Sequence, residues 1–550
     1  MTDILPSHTE NLESMIQEIA DSYDRNQYLS HAFFFTAPAY LRATAWLYGV
    51  ETAPVETARV LELGCSAGGN LLPFALSYPN ATAVGVDLSS EQIRHGQKIA
   101  ANLGAGNLSL HAMDLTQIDN NFGQFDYIIA HGVFSWVPPE VKQAILRICR
   151  ENLSPQGIAC VSYNTYPGWK VGDIVRDAMQ IHSHGADCDA DRLARAKAML
   201  TLLSEGVAVG NTLAPALKSA VAKLRKHSDH YLAHEYLELH NTPCYFIEFA
   251  EAAQQAGLAY VGDAEAFSEM NGSYGRNVQL NHSLIALGQP KVLRQQYLDF
   301  AICRNFRKSL LIDAKRHAAI GNDPDLGRLT DLRFAGRFTE TGRVDNAPKP
   351  RLQYKNHKEQ TLTTNDAVIE AVMRSLTDTW PRSQSVDALL DAPIVATALA
   401  RTAPASPARE RVLASVRTLY QMGMLYITRD GDPYAEAKPG LPALTPGCRL
   451  LTVPPDATAS VGATSSVGVF NLWHDACNPG FKPAERWLLP YLDGTHTEAQ
   501  LRALLRDALT QGRVPATDGR WLTGQRNLDA RAQSMVRRLL DFLHEQGLLR

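Results

Sequence analysis

Long apolar runs are missing from this 550-residue sequence. No stretch approaches the ~20 apolar residues a helix needs to cross a bilayer, so membrane insertion is not expected. An excess of one charge is missing too: 53 Lys and Arg stand against 57 Asp and Glu, for a net charge of −4. No overall field would attract nucleic acid, and no lysine or arginine run supplies a local one. Met1–Ala20 has neither the basic nor the apolar region of a secretory signal. The eight cysteines are scattered with no C-x-x-C pair, which argues against a zinc site and a disulfide framework. These absences lead us to expect a cytoplasmic protein with no structural metal.

What is present is ordinary globular material, 45% hydrophobic and 20% charged, in a chain long enough for about three domains. Short apolar runs alternate with helical segments. Strands are expected at Arg59–Leu63 and at 81–86, 108–112, 125–130 and 157–163, with helices at 70–77, 90–103 and 139–152. Two later runs, 257–262 and 306–312, are candidates for the last strands, in an order that the sequence leaves open. This alternation predicts an α/β fold, a parallel Rossmann-like sheet covered by helices on both faces. We expect that domain to span 1–320, with a helical insertion near 170–256 carrying alanine, leucine and charge at helical spacing.

Beyond residue 320 the texture changes. Two segments, 366–428 and 484–550, each run through helices to a glycine and a short apolar end. They predict mainly α, winged-helix-like modules over 321–436 and 437–550. Residues 335–358 are expected to form a linker or irregular ribbon, and 437–470 a loop. Near the start, Phe33, Phe34, Phe35, Tyr40, Trp46 and Tyr48 crowd into a helical stretch, as packing for the next domain or as a lid.

The chemistry gathers at Glu62-Leu63-Gly64-Cys65-Ser66-Ala67-Gly68-Gly69-Asn70, directly after a strand and opening a helix. Glycines let backbone approach a ligand, and the helix start offers free N–H groups to an anion. The spacing is G-x-x-x-G-G, not the G-x-G-x-x-G of a dinucleotide fold. Glu62 at the strand tip suits the ammonium of a methionine moiety and would repel a pyrophosphate. Asp87, followed by Leu88, ends the next strand, where a carboxylate accepts ribose hydroxyls; alone it fits NAD equally well. Met113-Asp114-Leu115 supplies apolar walls and an acceptor for an adenine amine. Combined, the three acidic anchors point to S-adenosyl-L-methionine.

The reacting end should lie beyond the fourth and fifth strands, because open sheets place ligands at the carboxyl ends of their strands. There stand His131, Trp136, Tyr163, Tyr166 and Trp169. The aromatics form either an entrance attractive to cations or ordinary core. His131, Tyr163 and Trp136 are the candidates for catalytic roles, with His131 or Tyr163 orienting an amine or taking its proton. His227, His230, His234 and Glu235 are spaced H-x-x-x-H-E rather than H-E-x-x-H, and no metal is expected there. Glu248 and Glu251 read as surface charge.

RVLELGCSAGGNLLPFA (59–75), VGVDLSSEQI (84–93), GQFDYIIAHGVFSWVP (123–138) and LSPQGIACVSYNTYPGW (153–169) resemble bacterial class I methyltransferases that carry a methyltransferase regulatory domain. HEYLELHNTPCYFIEFAEAAQQAGLAYVGDAE (234–265), QYLDFAICRNFRKSLL (296–311) and YLDGTHTEAQL (491–501) extend the likeness. The group includes outer-membrane-protein lysine methyltransferases of intracellular bacteria. The resemblance implies that Glu62, Gly64 and Gly68 line the methionine part, with Cys65 and Asn70 in the same turn. It implies that Asp87 holds ribose, that Asp114 holds adenine, and that His131 stands near the transferring end. The acceptor is then a lysine of a protein, such as an outer-membrane or surface protein before export. Two alternatives stay open: a small-molecule methyltransferase whose extra domains serve regulation or a homodimer, and a non-catalytic binding platform.

Overall fold

The computed structural model describes residues 29–238, 240–344, 351–401, 406–434, 440–451, 467–477, 479–515 and 527–550. The expectations for Met1–Ala20, and for most of the loop at 437–470, lie outside these residues. Among them, no helix is long and apolar enough to cross a membrane.

Eight strands build the central sheet: β1 Arg59–Leu63, β2 Thr82–Asp87, β3 Leu108–Ala112, β4 Phe125–Ala130, β5 Leu153–Tyr166, β6 Cys244–Tyr245, β7 Leu258–Asp263 and β8 Phe306–Asp313. Their order is β3-β2-β1-β4-β5-β8-β7, and β6 pairs with the end of β5. The first five pair in parallel, whereas β8 runs antiparallel between β5 and β7. That settles the order of the last two strands: the later one inserts inside the earlier one.

Local signals explain the first crossovers. Ser89 caps the helix Ser90–Leu103 by accepting from Gln92 N, and Gly104 ends it at φ 73°. Gly96 on that helix faces the cofactor turn so closely that a Cβ would sit 2.5 Å from the Ala67 carbonyl oxygen. The helix Pro139–Glu151 begins on a proline, with Glu140 in its first turn and Arg150 in its last, as the helix dipole favours.

Apolar side chains fill both faces of the sheet. Leu61, Leu63, Ile128, Val161 and Phe249 belong to one cluster. Val60, Tyr127, Cys160 and Leu310 belong to the other, which runs without a break through the helix Pro38–Leu47 into Phe334, Val372 and Leu419. The insertion carries helices Trp169–Ser183, Asp189–Glu205, Ala214–Leu224 and Asp229–Tyr236 around a small core of its own.

The stretch expected as a linker is instead an antiparallel three-stranded sheet: Phe338–Val344, Arg351–Asn356 and Thr361–Thr364. Its strands are rich in Thr, Arg and Lys and mostly solvated, so they lack the apolar alternation that marks a half-buried strand. Beside it, strands at Arg333–Ala335, Gln384–Ser385 and Tyr426–Thr428 form a second small sheet, packed with helices Ala367–Thr379 and Ala408–Gln421. The last module holds helices Pro483–Leu488, Glu498–Thr510 and Leu528–Glu545 around a separate core.

One buried ion network ties the 258–313 region together. The Arg307 side chain is fully buried and grips both oxygens of Asp299 at 2.8 Å. It also donates to Tyr260 at 3.1 Å and lies 3.9 Å from the Phe246 ring centre. Asp299 is equally buried and accepts from Arg304 as well. Removing one member strands charge in the interior, a loss of about 3–5 kcal/mol. Arg307→Ala is therefore expected to lower the first unfolding transition markedly in denaturant titration, while Arg94→Ala, which removes a surface pair with Glu91, leaves it in place.

Candidate active site

The carboxyl ends of β1, β2, β4 and β5 open into a cavity of about 530 Å³. Its floor is the turn after β1. Gly64 sits at φ 73°, and a Cβ there would lie 2.3 Å from Val133, so only glycine fits. Gly64 N and Cys65 N both donate to the Val86 carbonyl at 2.8 and 3.1 Å, which locks the turn onto β2.

Glu62 is almost wholly buried. Its Oε1 accepts from Asn70 Nδ2 at 2.9 Å, whereas Oε2 is buried with no partner. Burial pushes its carboxyl up to about 8; the Asn70 amide opposes the rise and the Asp87 charge adds to it. A buried, half-satisfied carboxyl facing the cavity fits a cationic ligand group, here the ammonium of a methionine moiety.

Asp87 is half-buried, and its two oxygens accept from Ser66 N at 2.7 Å and Ser89 N at 2.9 Å. Those bonds orient the carboxylate toward the cavity that it lines with Leu88. Asp114 accepts from Thr116 N and Oγ1 at 2.9 and 2.7 Å and lines the cavity with Leu115. Glu62, Asp87 and Asp114 thus line one cavity.

Most of the expected residues meet in this cavity: Glu62, Gly64, Cys65, Asn70, Asp87 and Leu88 on one side, with Asp114, Leu115, His131 and Trp136 beyond them. Gly68 and Met113 stand behind the lining. Gly68 shapes the turn at φ 75° against Leu110, and Met113 packs on the sheet core while its N–H donates to the Asp87 carbonyl.

Tyr163 is a correction. It is fully buried on the opposite face of β5, stacked on Phe249 at 4.1 Å, with its hydroxyl on Ser309 at 2.9 Å. Alternation along β5 is the reason: Ser162 and Asn164 turn toward the cavity side, so Tyr163 cannot. Tyr166 also leaves the entrance, with Lys170 over its ring and Tyr245 beside it. Trp136 and Trp169 do line the cavity and meet edge to face at 6.5 Å.

His131 lies in the cavity wall among Phe33, Phe35 and Phe306. Its Nδ1 is 2.8 Å from Ser162 Oγ, which itself accepts from Gly132 N at 2.9 Å. Burial, helped by the Lys308 charge, drops its imidazole to about 3. It is neutral throughout the physiological range and a poor proton acceptor. It serves as a fixed polar wall, so the expected role of taking a proton is not one that its surroundings favour.

Several lining residues escaped the sequence reading. Ser30 and His31 line the cavity from the N-terminal segment; beside them, of the aromatic triplet expected as packing or a lid, only Phe33 lines it, while Phe34 packs on Tyr40 and Tyr426. Asn164 and Phe306 close one side, and Tyr231 and Glu235 reach in from the insertion. His227 stacks on Tyr231 at 4.0 Å, and among the described residues no group of three or more His, Cys, Asp or Glu is arranged to hold a metal ion.

The sheet order, the turn and the acidic anchors define an S-adenosylmethionine-binding methyltransferase domain. Comparison with known proteins agrees. Residues 60–157 match a methyltransferase domain, 228–313 a predicted methyltransferase regulatory domain, and 455–548 the PKMT C-terminal winged helix domain. The uncharacterized protein RP789 of Rickettsia prowazekii is 37% identical over 362 residues, which span 65% of each chain. RP028 of the same organism is 39% identical over 42% of this chain and 94% of its own. PKMT2 from Rickettsia typhi, solved in complex with AdoHcy, superposes with a TM-score of 0.78 at 27% identity, covering 95% of this chain and 99% of that one. The chain belongs to the bacterial class I methyltransferases that carry a methyltransferase regulatory domain, and its cofactor is S-adenosylmethionine.

The raised Glu62 carboxyl makes cofactor binding a proton-linked event. Without a cation, the folded protein holds Glu62 protonated below about pH 8, whereas a bound ammonium favours the ionised form. Binding at pH 7 therefore expels a proton, and affinity for S-adenosylhomocysteine rises with pH until it levels off above 8. The slope approaches about tenfold per pH unit below that point. Calorimetry in two buffers of different ionisation enthalpy measures the released proton, and Glu62→Gln is expected to remove both the release and the slope.

Proposed function

We propose that the protein transfers methyl groups from S-adenosylmethionine to lysine side chains of a protein acceptor. The observation that carries this reading is the far end of the cofactor cavity. Trp136, Trp169 and Tyr231 line it beside a carboxylate, Glu235, and Tyr236 stacks behind Trp169 at 5.8 Å. Aromatic faces and a carboxylate attract an ammonium on a long apolar stem, which is a lysine. The likeness to PKMT2 of Rickettsia typhi, solved with AdoHcy, and the match of 455–548 to the PKMT C-terminal winged helix domain support this reading.

When bound, S-adenosylmethionine supplies an electrophilic methyl group on a sulfonium. The protein has to bring a neutral amine into line with it and keep water out. Deprotonating a lysine at pH 7 from a reference value near 10.4 costs about 4–5 kcal/mol. Glu235 and the indole faces draw in the charged amine at the mouth. Val133, Val137 and Val141 farther along the lining strip its water, and desolvation favours loss of the proton. With His131 neutral and Tyr163 in the core, the proton leaves through the open mouth. Asn164, whose amide donates to Asn241 at 3.1 Å, keeps a carbonyl oxygen in the lining that can hold an amine N–H. The same reading puts the enzyme in the cytoplasm, meeting an outer-membrane or surface protein before export.

The direct test is incubation of the protein with methyl-labelled cofactor and a cell-envelope protein extract, and separately with a metabolite fraction. Label recovered as methyl-lysine after acid hydrolysis is expected; label in small molecules alone overturns the reading. Trp169→Ala is expected to lower kcat/KM for the protein acceptor by about 5- to 30-fold, the range of a desolvated cation–aromatic contact, while the Kd for S-adenosylhomocysteine stays within twofold.

A further inference from the structure

The turn that holds the cofactor is itself held by the far end of the chain. Two short strands, Val469–Phe470 and Ala476–Cys477, flank a loop that crosses to the methyltransferase domain. Its tip is His474, buried and in a left-handed backbone conformation at φ 62°. His474 Nε2 is 2.8 Å from the Asn70 carbonyl oxygen, so Nε2 carries the hydrogen. Just before this loop, Val467 pairs with Ser30, and Gly468 N donates to the Ser30 carbonyl at 2.9 Å. Ser30 Oγ in turn accepts from Gly69 N at 2.8 Å, in the middle of the cofactor turn.

Asn70 is where these contacts converge. Its side-chain N–H donates to Glu62, and its Oδ1 accepts from Phe33 N at 2.9 Å and Thr36 Oγ1 at 3.0 Å. One residue therefore links the ammonium-binding carboxylate, the roof of the cavity and the C-terminal loop. The loop is anchored at its other side. Asn471 Oδ1 accepts from Trp473 N and Asp475 N, and Asn471 Nδ2 donates to the Gln546 carbonyl at 3.1 Å. Tyr434 accepts from Leu472 N and donates to the Gly547 carbonyl. Both lead to the end of the helix Leu528–Glu545, the last helix of the winged-helix module.

We propose that His474 is a positioning residue for the cofactor site, through which docking of the C-terminal winged-helix module sets the affinity for S-adenosylmethionine. A non-glycine residue held in a left-handed conformation persists where its surroundings over-determine it, and here the surroundings include the cofactor turn. If His474 withdraws, the Asn70 carbonyl loses its donor and the Asn70 amide loses its registry with Glu62. The coupling is reciprocal: cofactor binding tightens the C-terminal module on the methyltransferase domain by the same factor. A macromolecular acceptor that engages this module would thereby alter cofactor retention. The inference rests on the cofactor assignment and is independent of the lysine acceptor.

The test uses the full chain and S-adenosylhomocysteine alone. His474→Phe keeps ring volume and removes the donor; His474→Gln replaces Nε2 with an amide N–H at the same reach. His474→Phe is expected to weaken binding about 3- to 10-fold, as loss of one hydrogen bond allows, and His474→Gln to recover most of it. Hydrogen exchange on the wild type should show S-adenosylhomocysteine protecting 467–477 as well as 64–70, with protection of 467–477 lost in His474→Phe. Wild-type affinity in the Phe variant overturns the proposal. So does a Gln variant as weak as Phe, or ligand protection confined to 64–70 in the wild type. A wild-type chain that binds no S-adenosylhomocysteine overturns the cofactor assignment instead.

Discussion

A carboxyl group buried with only half its hydrogen bonds made is the constraint on which the rest of the site depends. Glu62 sits at the tip of β1, between parallel strands β2 and β4 that bury its backbone, and it lines the cavity. Asn70 takes one oxygen, and a cationic ligand group in the cavity would complete the other. The tight turn at Gly64, the close helix at Gly96 and the roof from Ser30 to Phe33 all hold Asn70 and Glu62 in this relation.

The division of labour around that carboxyl follows from strand geometry. Residues on β4 and β5 alternate between the sheet core and the cavity. The polar members, Ser162 and Asn164, face the cavity side and the aromatic Tyr163 faces the core. His131, insulated by phenylalanines and by Lys308, adds shape without proton affinity. A site of this kind suits methyl transfer, where alignment and dryness do the work and no covalent intermediate is needed.

Much of this was legible in the sequence. A strand followed by G-x-x-x-G-G, with acidic residues at three successive strand ends, is a local pattern, and Glu62, Asp87 and Asp114 do meet in one cavity. The helix expected at 90–103 was equally local, and the structure bounds it with the Ser89 cap and Gly104. Tyr163 was misread because in a sheet buried on both faces an aromatic residue carries no sign of which face it takes. The sheet over 338–364 was missed because its strands are solvated and stabilised mainly by backbone pairing, which leaves no apolar rhythm. Ser30, Tyr231, Glu235 and His474 reach the site from distant parts of the chain, and nothing beside them in the sequence announces the turn that they touch.

The two segments that clasp the cofactor turn, Ser30–Thr36 and Val467–His474, lie far apart in the chain, His474 standing 404 residues after Asn70. During synthesis the sheet and its helices leave the ribosome long before the second of these does, and domains fold as they emerge. One face of the sheet shares its core with Phe334, Val372 and Leu419, so that face too is completed only after the strands themselves have been made. On the proposal that the 467–474 loop sets cofactor affinity, full grip on S-adenosylmethionine waits until that loop has been made.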